Sequence, residues 1–167
     1  MEKLTSIRFC FLRVGLYVSL SLVTLMHSLE GIGSAHAKNN TWNVCREAAQ
    51  SIESETDIPQ GLLETISLIE TGRWSTLNQR SMAWPWTITS GTRHWYFSSK
   101  EEAIYHVNNL LNSGVKNIDI GCMQINLYHH GTEFLSLENA LNPLSNVRYA
   151  ASYLMKLRKS TSNWFDA

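Results

Sequence analysis

Apolar residues in the stretch "GLLETISLIETG" recur at helical spacing, with Leu62, Ile66 and Glu70 four apart and so on one line. Leu63 and Ile69 flank that line. Thr56 or Asp57 would cap the helix, Pro59 suits its first turn and Gly72 would stop it. Glu64 points away from the stripe, whereas Glu70 falls on it, so an acid sits where an apolar side chain is expected. Upstream, "NNTWNVCREAAQSIESET" predicts a first helix. Downstream, "SMAWPWTITSGTRHWYFSS" is rich in Trp, Thr, Tyr and Phe around Ser90-Gly91, which predicts a β-hairpin whose first strand Pro85 confines to an edge. Ser99 and Glu102 form a capping box for residues 100–114, with Gly114 as the stop. "VKNIDIGCMQIN" reads as a loop or short strand, and "LYHHGTEF" as a short helical piece. Asn142 and Pro143 then open a long helix to about residue 159, with Val147, Ala150, Ala151, Leu154 and Leu157 on its inner face. The fold class is α+β, mainly α-helical, with one small β-hairpin beside a cleft.

Residues 1–37 follow a different pattern. Lys3, Arg8 and Arg13 precede an apolar run over about 14–26, and Ala35-His36-Ala37 supplies an A-x-A cleavage signal. This is the layout of a secretory signal peptide, and the run is short for a membrane span. The expectation is an exported protein, in the periplasm or cell envelope, that meets the membrane only through its leader. Residues 38–167 then form one domain of 130 residues, a monomer, carrying 11 Lys+Arg against 12 Asp+Glu. Such a balance lacks the basic footprint of a nucleic-acid binder. All 6 Trp lie after the leader, to fill a core or to line a groove for an amphipathic ligand. Cys45 and Cys122 either pair in an oxidising compartment or remain two separate buried thiols. His94, His106, His129 and His130 lack the spacing of a zinc site, and no metal or cofactor is expected.

An acid within an apolar wall keeps its proton to higher pH, which suits protonation of a glycosidic leaving group. The plain alternative is an ion pair of Glu70 with Arg73 or Arg80. About fifty residues after Glu70-Thr71 comes "IDIGCMQIN". Together these two segments resemble the lytic transglycosylases of the lysozyme-like superfamily, a resemblance that runs from about Cys45 to the last residue, nearly the whole mature chain. The resemblance implies a lysozyme-like domain that cuts peptidoglycan glycan strands at the MurNAc-GlcNAc bond and leaves a 1,6-anhydro sugar. It implies Glu70 as catalytic acid and base, and Gly121, Met123, Gln124 and Asn126 as groove residues. Trp84, Trp86, Trp95 and Tyr96 become candidates to stack on sugar faces.

Asp119 permits a second reading. "DIGCMQIN" is also similar to the D-x-G-x-x-Q-I-N run of animal-type lysozymes, which makes Glu70 and Asp119 the carboxylate pair of a retaining muramidase; that pair is the standard example of the mechanism. The resemblance further implies an aromatic motif beyond the long helix, and the sequence stops at "NWFDA" where that motif would begin. A fragment or shortened product is one expectation, and a peptidoglycan-binding or scaffold protein with impaired catalysis is another. A wall enzyme of this size would serve wall turnover or a secretion or motility apparatus.

Overall fold

The computed structural model describes residues 41–164, 166 and 167, so the leader and its cleavage signal lie outside the described residues. Residues from Thr41 onward form one unit of mixed α+β structure. Helix α1 (Val44–Ser54) is followed by α2 (Leu62–Thr71), then by strands β1 (Gly72–Ser75), β2 (Arg80–Ala83), β3 (Thr87–Ser90) and β4 (Arg93–Tyr96). Helix α3 (Lys100–Asn112) leads to β5 (Asp119–Ile120) and β6 (Ile125–Asn126). Two short helices, α4 (Leu127–His130) and α5 (Leu137–Ala140), precede the long α6 (Pro143–Arg158). No helix among the described residues is long and apolar enough to cross a membrane.

Where the sequence suggests one hairpin, there are two. β1 and β2 pair antiparallel, with Arg73 opposite Met82 and Ser75 opposite Arg80. The second hairpin, β3–β4, turns at Gly91 and belongs to a four-stranded sheet ordered β4-β3-β5-β6. Pro85 lies before β3 rather than in it, so the missing amide proton costs the ladder nothing, and β3 is central instead of an edge. The first hairpin escapes pattern reading because "GRWSTLNQRSMA" lacks the β-branched alternation on which such reading depends.

Helix α2 enters the core one residue out of the anticipated register. Its buried line is Leu63, Ser67 and Thr71, while Leu62 and Ile66 are half-buried and Ile69 is 77% exposed. Five apolar side chains spread over more of the helix than one core contact can cover. The line with two small residues, Ser67 and Thr71, lets the helix approach closely. Neither Thr56 nor Asp57 caps it. Glu53, nearly fully buried at the end of α1, instead accepts hydrogen bonds from the amides of Gly61 (2.8 Å) and Leu63 (2.7 Å), putting negative charge at the positive helix end. Gly72 does stop the helix, but in an extended conformation. A Cβ there would stand 2.2 Å from the Leu68 carbonyl oxygen, which only glycine avoids.

Two apolar clusters fill the unit. The first joins α1, α2 and α6 through residues such as Ile52, Leu63, Met123 and Val147. The second lies beneath the four-stranded sheet and includes Ile88, Val107, Ile118, Ile120 and Leu141. Of the anticipated inner face of α6, Val147 and Ala151 are buried, and fully buried Asn146 joins them. Cys45 and Cys122 are disulfide-bonded, with Cα atoms 5.6 Å apart, which ties α1 to the turn between β5 and β6.

That turn depends on Asn146. Its Oδ1 accepts from the Met123 amide at 2.9 Å, and its Nδ2 donates to the carbonyls of Ile120 and Ala140. Gly121 (φ 79°) passes so close that a Cβ would lie 2.5 Å from Asn146 Nδ2. Truncation leaves three buried backbone groups without partners, so Asn146→Ala should lower unfolding stability by about 3 kcal/mol in urea titrations. Reduction of the disulfide, which closes a long loop, should cost about 3–4 kcal/mol in the same measurement.

Candidate active site

The four-stranded sheet has an apolar and a polar face. Ile88, Trp95 and Ile120 are cross-strand neighbours turned to the core. Residues one place along turn the other way. His94, Thr89, Asp119 and Asn126 therefore form a row across all four strands, each directly opposite the next. Tyr96 and Thr87 make a second row on the same face.

Side-chain bonds hold the first row in two groups, one at Asp119 and Asn126 and one at Thr89 and His94. Asn126 Nδ2 donates to Asp119 Oδ1 at 2.8 Å, and to Asn117 Oδ1. Gln124 Nε2 donates to the carbonyls of Thr87 (3.1 Å) and Gly121 (3.0 Å), which fixes the amide so that Oε1 accepts from the Thr89 hydroxyl. With its one proton committed there, Thr89 Oγ1 accepts from His94 Nδ1–H at 3.0 Å, which leaves His94 Nε2 outward. Gln124 holds a left-handed backbone (φ 46°) to reach these partners. Both its amide protons are engaged within the protein, so in this arrangement Gln124 has none free to donate to a ligand.

Glu70 stands at the last turn of α2 beside this face. Its neighbour Thr71 is buried, and the Thr71 hydroxyl donates to the Ser67 carbonyl (2.9 Å) and lies 3.3 Å from the Cys122 carbonyl. The Trp84 amide bonds Thr71 as well. The helix end, the 121–124 turn and the start of β3 are thereby held together. Contrary to the sequence expectation, the Glu70 side chain is not sunk in an apolar wall but exposed at the end of α2. The ion pair with Arg73 or Arg80 is also absent; the salt bridge among the described residues joins Arg148 to Glu55. Partial desolvation there, and then the negative charge of Asp119, hold the Glu70 carboxyl above its ordinary range. The expected direction survives, with a carboxylate neighbour sharing the work of the apolar one. One turn back, Ile66 lines an apolar cleft of about 190 Å³ with Met123, Ile125, Ala150, Tyr153 and Leu157.

The aromatic candidates divide. Trp86 and Trp95 pack against the core below the sheet, and Trp84 is buried with Nε1 donating to the Phe97 carbonyl at 2.7 Å. Tyr96, 43% exposed on the polar face, is the most exposed of the four. Reading the sequence for rings missed a second aromatic group: Tyr149, whose hydroxyl is 2.7 Å from His130 Nδ1, with Phe134 and exposed Tyr153 beside it. Thr89 and His94 were also missed. The alternation of "TITS" and "RHWY" carries their facing, but nothing in it names the strands they would oppose.

A carboxyl whose pKa is raised on folding binds its proton more tightly in the native state. Its favourable contribution is complete below the unfolded value of 4.5 and is lost as pH rises through the higher native value. Glu70→Gln should therefore raise Tm at pH 7 by roughly 1–2 °C, small because the group is only partly desolvated, and leave Tm unchanged at pH 4. An equal shift at both pH values would show that the charge of Glu70 is irrelevant to it. No protein-family model matches the chain, and neither does a curated protein or a solved structure.

Proposed function

We propose that this protein is a peptidoglycan lytic transglycosylase with a lysozyme-like domain, acting on glycan strands in the cell envelope. The observation that carries the reading is Glu70: a carboxyl without a hydrogen-bond or ion-pair partner among the described residues, raised in pKa, at a helix end beside a polar sheet face. The resemblance of Glu70-Thr71 and "GCMQIN" to that family supplies the substrate class. In this reading the Glu70 carboxyl protonates the oxygen between MurNAc and GlcNAc. The muramoyl C6 hydroxyl then attacks the anomeric carbon and gives its proton to the Glu70 carboxylate. No water is consumed, and a 1,6-anhydro end results. Asp119, fixed by Asn126, acts at a distance by making ionisation of Glu70 harder.

The same proximity of Asp119 favours a second reading, a retaining muramidase in which Asp119 stabilises or captures the glycosyl cation. Product mass separates the two, because an anhydro end is lighter by one water than a reducing end. Glu70→Gln should reduce dye release from labelled cell walls by about 10²–10⁴-fold. Release by this variant equal to the unaltered protein's would refute both readings, and no release by either protein, with binding to walls retained, would point to a binding protein. Asp119→Asn should keep most activity at acid pH under the transglycosylase reading. Its alkaline limb should move to lower pH, because Glu70 loses the negative neighbour that held its proton.

A further inference from the structure

Three arginines gather around Trp42 on the flank of α2 turned away from Ile66 and Glu70. Arg73 follows Glu70 by three residues, and its guanidinium lies over the rings of Trp42 (5.2 Å), Trp84 (4.9 Å) and Tyr96 (5.2 Å). Strand register puts Arg73, Met82 and Arg80 on one face of the β1–β2 hairpin. Arg80 and Met82 line a cavity of about 240 Å³ with Trp42, Arg46, Glu64 and Leu68. Arg46 enters it from α1. One of its Nη atoms donates to Asn43 Oδ1 at 3.0 Å, while its buried Nε has no partner among the described residues. None of the three guanidiniums is in a salt bridge among the described residues. The one acid on the cavity wall, Glu64, accepts from Gln50 Nε2 at 3.2 Å and leaves its other oxygen open.

A buried guanidinium nitrogen without a protein acceptor carries a desolvation cost, which a bound water or anion offsets. Rings stacked on Arg73 hold its planar fork in place while its edge donors stay free, an arrangement suited to a carboxylate. Apolar walls from Leu68, Met82 and Trp42 accommodate a short aliphatic segment. Glu64 opposite the arginines suits an ammonium next to the anion. Tyr96 belongs to the polar sheet face and its ring lies under Arg73, which also lies over Trp42 on the cavity wall.

We propose that Arg46, Arg73 and Arg80 form a carboxylate-binding subsite for the peptide stems carried by the glycan strand. Its ligand is identified through the peptidoglycan reading, but the site itself is not. Arg80, exposed at a strand end, gives the variant least able to disturb folding, and Arg46→Gln tests the buried nitrogen. Titration calorimetry would compare a GlcNAc-MurNAc tetrapeptide, which lacks the scissile bond, with the peptide-free disaccharide, the free tetrapeptide and inorganic phosphate. Arg80→Gln and Arg46→Gln should each weaken the two peptide-bearing ligands by about tenfold and leave the peptide-free disaccharide unchanged. Binding of free tetrapeptide without binding of disaccharide would uphold the subsite and defeat the glycan reading. Disaccharide binding that gains nothing from the peptide would overturn the subsite and leave the glycan reading standing. Tighter binding of phosphate than of tetrapeptide, or variants that weaken the peptide-free disaccharide equally, would also overturn it.

Discussion

The turn between β5 and β6 has to leave the sheet, touch the core and return within four residues, and its backbone polar groups are out of reach of water. Asn146 answers that constraint by serving as acceptor for one amide and donor to two carbonyls, from a helix that begins 22 residues after the turn's first residue. An unpaired buried amide or carbonyl costs about 1–3 kcal/mol, so the turn and α6 are conditional on each other. Gly121 follows from the same contact, since no other residue leaves space for the Asn146 amide. The disulfide from Cys122 to Cys45 anchors the turn to α1, and Thr71 anchors α2 to it.

Placement of the acid follows from those anchors. Thr71 is locked between the Ser67 carbonyl, the Cys122 carbonyl and the Trp84 amide, and Glu70 precedes it on the helix. The rotation of α2 is therefore set by a small hydroxyl residue rather than by its larger apolar side chains, and the carboxylate comes to the surface. That position is moderately desolvated and within electrostatic reach of Asp119. It combines a raised pKa with access to solvent, where full burial would give the first without the second.

The sheet places its polar face, with Asp119, within electrostatic reach of that acid. Its polar row gets rigidity from a chain of side-chain bonds that starts at two backbone carbonyls, passes through the Gln124 amide and the Thr89 hydroxyl, and ends at His94. Each partner has its donor or acceptor role imposed by the one before. From the β1–β2 hairpin, Arg73 reaches Tyr96 at the edge of this sheet, and there cation–π contacts replace hydrogen bonds as the means of orientation.

Much of the architecture was legible in local sequence. Helix periodicity located α1, α2, α3 and α6, Ser99 and Asn142 cap where their side chains allow, and the Trp- and Thr-rich segment became β3 and β4. Glu70, Asp119 and "GCMQIN" could be singled out because unusual residues in a periodic pattern stand out without a partner being known. What local pattern could not carry was every choice made between distant segments. Which of several apolar lines of α2 faces inward was decided by Thr71 meeting Cys122. Strand pairing across 30 residues was needed to align His94, Thr89, Asp119 and Asn126, because period 2 gives a side chain's face but not its neighbour. The buried cap from Glu53, the satisfied turn at Asn146 and the caged Arg73 likewise depend on contacts with no trace in local order. Sequence by itself determined the elements and their chemically distinctive residues; only tertiary structure decided which polar groups meet, since that depends on satisfying buried donors and acceptors across the whole unit.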